Sequence, residues 1–316
     1  MWVYQQPEPG RFAEFDVAPP DPADLADDEL LLEFRAGGVC GSDIPKFLGH
    51  VDPDLPTTGQ VGVPLHELIA VVTASTSPEF AAGDRVVCHV PGARGLQERL
   101  IAPAENAHRL GDGLGDVDAV MVQPLSTVLS ALDRIGPVDG KTVAVVGLGP
   151  LGLLFCHVAH SRGARVTGID RVSRAAAAAS FGIDELVQAE SRRWASSVAA
   201  DGPRPDVVID AVGHQQEILA DAVQAISPGG DILIFGLPED HYVLPMREFF
   251  RKGLRMTGGT TKDWPRYLKQ AEKYVCAAPG LPGSYITDVR PRTDLEAAYR
   301  LYTQPATGRH KVVITA

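Results

Sequence analysis

Residues 142–159 read TVAVVGLGPLGLLFCHVA. The run VAVVG (143–147) is entirely apolar, as a strand is when helices cover both faces of a parallel sheet. The next residues, GLGPLG (147–152), have the spacing G-x-G-x-x-G between a strand and a helix, the context a dinucleotide-binding turn requires. Gly147 permits the tight turn, Gly149 lets backbone approach a pyrophosphate, and Gly152 lets the helix pack against the strand. Pro150 and Leu151 open that helix, whose free N–H groups face an anion. Asp170 ends the following strand, RVTGID (165–170), where an acid accepts hydrogen bonds from an adenosine ribose and repels a 2′-phosphate. NAD is therefore expected over NADP. Arg171 and Arg174 complicate that reading: they either stack on adenine or partly offset the carboxylate. The whole apolar run approaches the length of a membrane span. Its three glycines and one proline fit a strand, turn and buried helix better.

The alternation continues. Helices are expected at 150–162, 174–182 and 217–226, and strands at 206–213 and 229–236, which together imply a doubly wound parallel sheet. Residues 1–123 differ. Short β-type runs such as 29–40, 67–75 and 83–90 are broken by Gly, Pro and Asp, which suggests an irregular antiparallel barrel or sandwich. After about Thr260 come amphipathic helices at 264–276 and 294–304 and a last strand at 310–316. The expected class is α/β: a β-rich domain from 1–123 and 262–316, and a nucleotide-binding domain from 124–261.

Composition excludes several roles. The net charge of −11 repels phosphate backbones, and no local basic stripe offsets it, so no nucleic-acid partner is expected. The 316 residues suffice for a sizeable core. Cysteines at 40, 88, 156 and 276 form no CxxC pair and no disulfide framework, which suits the cytoplasm. The N-terminal MWVYQQPEPG has neither a basic nor an apolar leader region, so no signal peptide is expected.

Two further stretches carry chemistry: GGVCGSDIP (37–45) and PLHELIAVV (64–72). Cys40, His66 and Glu67 offer S, N and O donors, and three protein ligands plus a water is the pattern of a catalytic zinc. Asp43 is placed to accept the other N–H of His66 and fix its tautomer. A nucleophilic Cys40 with His66 as its base is an alternative. So is a plain buried thiol.

In order along the chain, GVCGSD, P-x-H-E-x-x-x-V-V, GDRV, QPLSTVLSAL, VxGLGPLG, DxxIDAVG and SPGGDILIFGLP resemble the zinc-containing medium-chain alcohol and polyol dehydrogenases. The resemblance covers nearly the whole chain. It implies a GroES-like catalytic domain, a Rossmann domain binding NAD, a catalytic zinc in the cleft between them, and a homo-oligomer, dimer or tetramer. It makes Cys40 and His66 zinc ligands and Glu67 a ligand or a residue just behind the metal. It makes Ser42 the hydroxyl that relays the substrate proton and Asp43 the partner of His66. It sets Ala211, Val212, Phe235, Gly236 and Leu237 along the cofactor, and Lys311 at its pyrophosphate. A small-molecule secondary alcohol or ketone is the implied substrate. The Gln-Pro-Leu-Ser stretch stands where polyol-type relatives have Glu-Pro-Leu-Ser, which favours a sugar, cyclitol or other polyol. The Ala/Arg/Gly/Pro-heavy composition is associated with high-GC bacteria, where such enzymes often serve secondary metabolism.

The chain departs from the family pattern at four places. Gln123 stands where relatives carry glutamate or cysteine; a neutral amide is a poor zinc ligand, so it is expected to hold a metal-bound water, leaving Glu67 as third ligand, unless zinc binds weakly or not at all. Only PGARG lies between Val90 and Leu96, without the four cysteines of a structural zinc, so one zinc at most is expected. Pro45 replaces the histidine that completes the proton relay in some relatives. Leu65 replaces the usual glycine before the His–Glu pair. Gln123 and Leu65 keep two other readings open: a zinc-independent quinone or enone reductase, and a non-catalytic NAD-binding sensor.

Overall fold

The computed structural model describes residues 1–50, 60–200, 202–304 and 306–316. The chain divides into two compact units. The first comprises Met1–Ser126, Lys262–Pro305 and Arg309–Ala316; the second comprises Thr127–Thr261 and Ala306–Gly308.

The first unit is built on a mostly antiparallel sheet. Its strands run in the order Ile286–Pro291, Lys311–Thr315, Glu29–Gly38, Glu67–Ser75, Arg85–His89 and Ala107–Arg109, with Arg99–Pro103 also paired to Glu29–Gly38. Alternation in ELLLEFRAGG and ELIAVVTAS sends one set of side chains inward. Leu30, Leu32, Phe34, Leu68, Ala70 and Val72 form one core with Phe47 and Tyr299. The expectation of a barrel or sandwich is sharpened here to one sheet with a separate Trp2–Glu8/Arg11–Asp16 hairpin.

The second unit is a six-stranded, wholly parallel sheet in the order Glu185–Gln188, Arg165–Asp170, Thr142–Val146, Val207–Asp210, Asp231–Ile234, Arg255–Thr257. The central strands are buried along their length, whereas the two edge strands are half exposed. That is why the sequence shows the central strands clearly and the edges hardly at all. The expected helix over 174–182 is a single turn, Ala175–Ala178. Gly182 adopts φ 63° and turns the chain into the 185–188 edge strand. A further helix, Ser191–Ala200, buries Trp194, Ala195 and Val198. Among the described residues no helix is long and apolar enough to cross a membrane.

Candidate metal centre and cofactor turn

The Glu29–Gly38 strand ends where Glu67–Ser75 begins, and Gly38 pairs in register with Glu67. The loop after the first strand therefore meets the start of the second. This brings ligand atoms of Cys40, His66 and Glu67 within 4.8 Å of one another. Gly38 has to be a glycine here: a Cβ would lie 2.1 Å from Glu67 Oε2 and 2.7 Å from Lys311 Cε.

Asp43, fully buried, holds this arrangement. Its Oδ2 accepts from the Cys40 backbone N–H at 2.9 Å, and its Oδ1 lies 3.2 Å from His66 Nδ1. Nδ1 is thus engaged and Nε2 is the nitrogen left for a ligand. Burial alone pushes the His66 pKa down; the Asp43 carboxylate and then the Cys40 sulfur outweigh it and hold it well above its ordinary value. Burial pushes Cys88 up to about 12 and raises Cys156 as well, which leaves those thiols inert. Ser42 is half-buried and occupies the N-cap position of the short Asp43–Phe47 helix without a capping hydrogen bond.

Lys311 is enclosed within the first unit. It is 1% exposed, its Nζ donates to Val39 O at 2.9 Å, and it forms a buried ion pair with Glu67 Oε2. The resemblance set this cation at a pyrophosphate; in the structure its anion is a carboxylate of its own unit. Burial raises the Glu67 pKa, and Lys311 then His66 oppose that rise only in part. Besides this ion pair Oε2 has no hydrogen-bond partner, and it lies beside the Cys40 sulfur and the His66 ring. A soft S, a borderline N and an O donor converging within 4.8 Å fit zinc.

Gln123, 2% exposed, points its Nε2 at His89 Nδ1, 3.3 Å away. His89 was not singled out by sequence. Its ring stacks on Trp264 (centroids 4.1 Å apart, 13° between planes) and meets the His66 ring edge-on at 5.6 Å. Burial, reinforced by His66, pushes its pKa down to about 3, so the ring is neutral.

In the second unit the glycine turn has the expected geometry. Gly147 adopts φ 90°, and a Cβ on Gly152 would lie 1.8 Å from Gly147 O. Asp170 Oδ2 accepts from the Leu148 N–H and Oδ1 from the Val172 N–H, both at 2.8 Å. Arg174 is buried; its Nε lies 3.7 Å from Asp170 Oδ2 and its guanidinium also donates to Ala306 O. Arg171 is exposed. The neighbouring strand ends meet at the same edge. A Cβ on Gly147 would lie 2.5 Å from Val212, Ala211 N donates to Val146 O, and both Phe235 N and Gly236 N donate to Asp210 O. Leu237 O accepts from His214 N. Pro150 and Leu151 begin the helix that runs to Ser161. Thus the sequence-selected residues fall into two groups, one in each unit: Cys40, Ser42, Asp43, His66, Glu67 and Gln123, joined by Lys311, in the first, and the glycine turn with its partners in the second.

Two family models match the chain in order. Residues 26–112 match the alcohol dehydrogenase GroES-like domain, and residues 150–273 match the zinc-binding dehydrogenase domain. A sorbitol dehydrogenase of Halalkalibacterium halodurans is 30% identical over 254 residues, covering 71% of each chain. A probable zinc-binding alcohol dehydrogenase of Mycobacterium tuberculosis is 30% identical over 285 residues, 79% of this chain and 73% of that one. An Escherichia coli alcohol dehydrogenase solved with NADH superposes with a TM-score of 0.82 at 22% identity, over 100% of this chain and 98% of that one, a likeness of fold. With both of its halves matched in order, the chain belongs to the zinc-binding, medium-chain alcohol dehydrogenase family.

Proposed function

We propose that this chain is an NAD-dependent dehydrogenase that interconverts a secondary alcohol and its ketone, on a sugar, cyclitol or other polyol. The observation that carries the reading is the convergence of Cys40, His66 and Glu67 within 4.8 Å, framed by buried Asp43. Relatives named for sorbitol and D-arabinitol, 30% and 28% identical, support the polyol class. When bound, a single zinc held by Cys40 and His66 would supply Lewis acidity, and NAD held at the glycine turn would supply the hydride acceptor.

Cys40 and His66 hold the metal, with Glu67 behind or beside them. Asp43 keeps the His66 proton on Nδ1 and so leaves Nε2 as a lone-pair donor. Ser42 Oγ passes the substrate's hydroxyl proton outward. With Pro45 in place of a relay side chain, that proton would leave through water rather than through a side chain at position 45. The GLGPLG turn and its helix start cradle the pyrophosphate, Ala211, Val212 and Phe235–Leu237 line the cofactor, and Asp170 selects NAD over NADP. The four free thiols fit a reducing compartment, the cytoplasm. Exposed Val243, Met246 and Phe250 fit burial in a homo-oligomer, which light scattering tests as a dimer or tetramer mass against a monomer.

The deciding experiment is metal analysis and NAD-linked turnover of polyols by wild type and Cys40→Ser, both purified without chelator. About one zinc per chain in the wild type is expected, with zinc and activity both lost in the variant. Wild type free of zinc that reduces an enone with NADH would instead favour the metal-free reductase, a reading supported by neutral Gln123 and by the Lys311 ammonium already set against Glu67.

A further inference from the structure

His89 lies at the end of the Arg85–His89 strand, in register with Glu67. Three neighbours fix its ring. Trp264 stacks on its face, His66 meets it edge-on, and the Gln123 amide approaches Nδ1 at 3.3 Å. With the Gln123 amide NH2 facing it, Nδ1 is the acceptor, which assigns the ring's single proton to Nε2. Nε2 has no hydrogen-bond partner among the described residues, nor is it among their enclosed polar atoms. A rigid N–H donor therefore stands open beside the ring of the candidate metal ligand His66. Ordinary packing of a strand-end histidine needs neither the amide nor an open donor.

We propose that His89 is a specificity-determining residue that donates its Nε2–H to a second hydroxyl of the substrate, next to the reacting carbon, and that Gln123 is a positioning residue that holds the proton on Nε2. The substrate class is thereby narrowed to vicinal diols and polyols, in preference to simple secondary alcohols. This rests on the secondary-alcohol dehydrogenase reading. The gain is discriminatory: a site built to hydrogen-bond a hydroxyl loses that bond and keeps a desolvated donor when the hydroxyl is missing. Trp264 contributes by fixing the ring plane, so little orientational freedom is lost on binding.

The test compares kcat/KM for 2,3-butanediol and xylitol with that for 2-butanol in wild type, His89→Phe, His89→Gln and Gln123→Leu, with zinc content and NADH binding measured on each. Wild type is expected to prefer the polyols. In His89→Phe, which keeps an aromatic ring against Trp264, the polyol-to-alcohol ratio is expected to fall by about tenfold or more, mainly through KM. His89→Gln, with an amide N–H of similar reach, is expected to recover most of the ratio. Gln123→Leu keeps the ring but frees its tautomer, and is expected to fall between them. Equal losses on all substrates, or an unchanged ratio in both His89→Phe and Gln123→Leu, overturn the proposal. Wild type that oxidises none of the three overturns the dehydrogenase reading and this inference with it.

Discussion

Lys311 and Glu67 form an ion pair with each side chain only 1% exposed. Removing one partner of a buried pair leaves the other charge without compensation, which costs far more than the pair itself contributes. Lys311→Met is therefore expected to destabilise the chelator-treated protein by about 3–5 kcal/mol in urea denaturation, and Lys311→Met with Glu67→Gln to recover most of that. Lys311 also marks a limit of reading by residue. Its position in HKVVITA is plain, but a sequence does not say which anion a lysine meets, and the nearest one is set by the pairing of three strands. Cys40, Asp43, His66 and Glu67 were singled out because GVCGSD and P-x-H-E stand in the order of the family's motifs; taken alone, each kept an ordinary structural reading. His89 was not, since an ordinary strand-end histidine gains meaning only from Trp264 and Gln123, which come from distant parts of the chain.

Among the elements, the short loop that replaces a structural-zinc lobe shows how the metal loop is held. Leu65 N donates to Ala93 O, Gly95 N donates back to Leu65 O at 2.9 Å, and the Leu65 side chain is wholly buried. Two glycines make room for it. A Cβ on Gly37 would sit 2.8 Å from both Leu65 methyls, and one on Gly95 would sit 2.6 Å from a methyl and 2.7 Å from the Leu65 carbonyl oxygen. Leu65 in place of the family's glycine is thus a wedge that ties PGARG to the residues before His66. Gly37→Ala is expected to cost about 1–3 kcal/mol by overpacking, and less when combined with Leu65→Ala, as thermal melting of both variants would show. The central parallel strands and the glycine turn were readable from apolar runs and punctuation. The edge strands Glu185–Gln188 and Arg255–Thr257 were not, because four and three half-exposed residues leave too short a pattern.

At the scale of the molecule, the second unit is nearly one uninterrupted stretch, Thr127–Thr261, joined only by Ala306–Gly308, and it has its own core around Val208, Ile218, Val223 and Ile232. A unit with its own core is able to fold alone. Expressed by itself, 127–261 is expected to keep a cooperative melt and to bind NADH, read by fluorescence, while losing about 1 kcal/mol with the Arg174–Ala306 hydrogen bond. The first unit is assembled from three stretches and has no such contiguous fragment. The same connectivity makes the nucleotide-binding stretch a cassette. It is open to exchange at 126/127 and 261/262 for that of another dehydrogenase, provided the incoming piece brings an arginine at position 174 for the retained Ala306 carbonyl. A chimaera that ignores this would leave the Ala306 carbonyl without its guanidinium donor, a fault located in the three-residue return rather than at either splice.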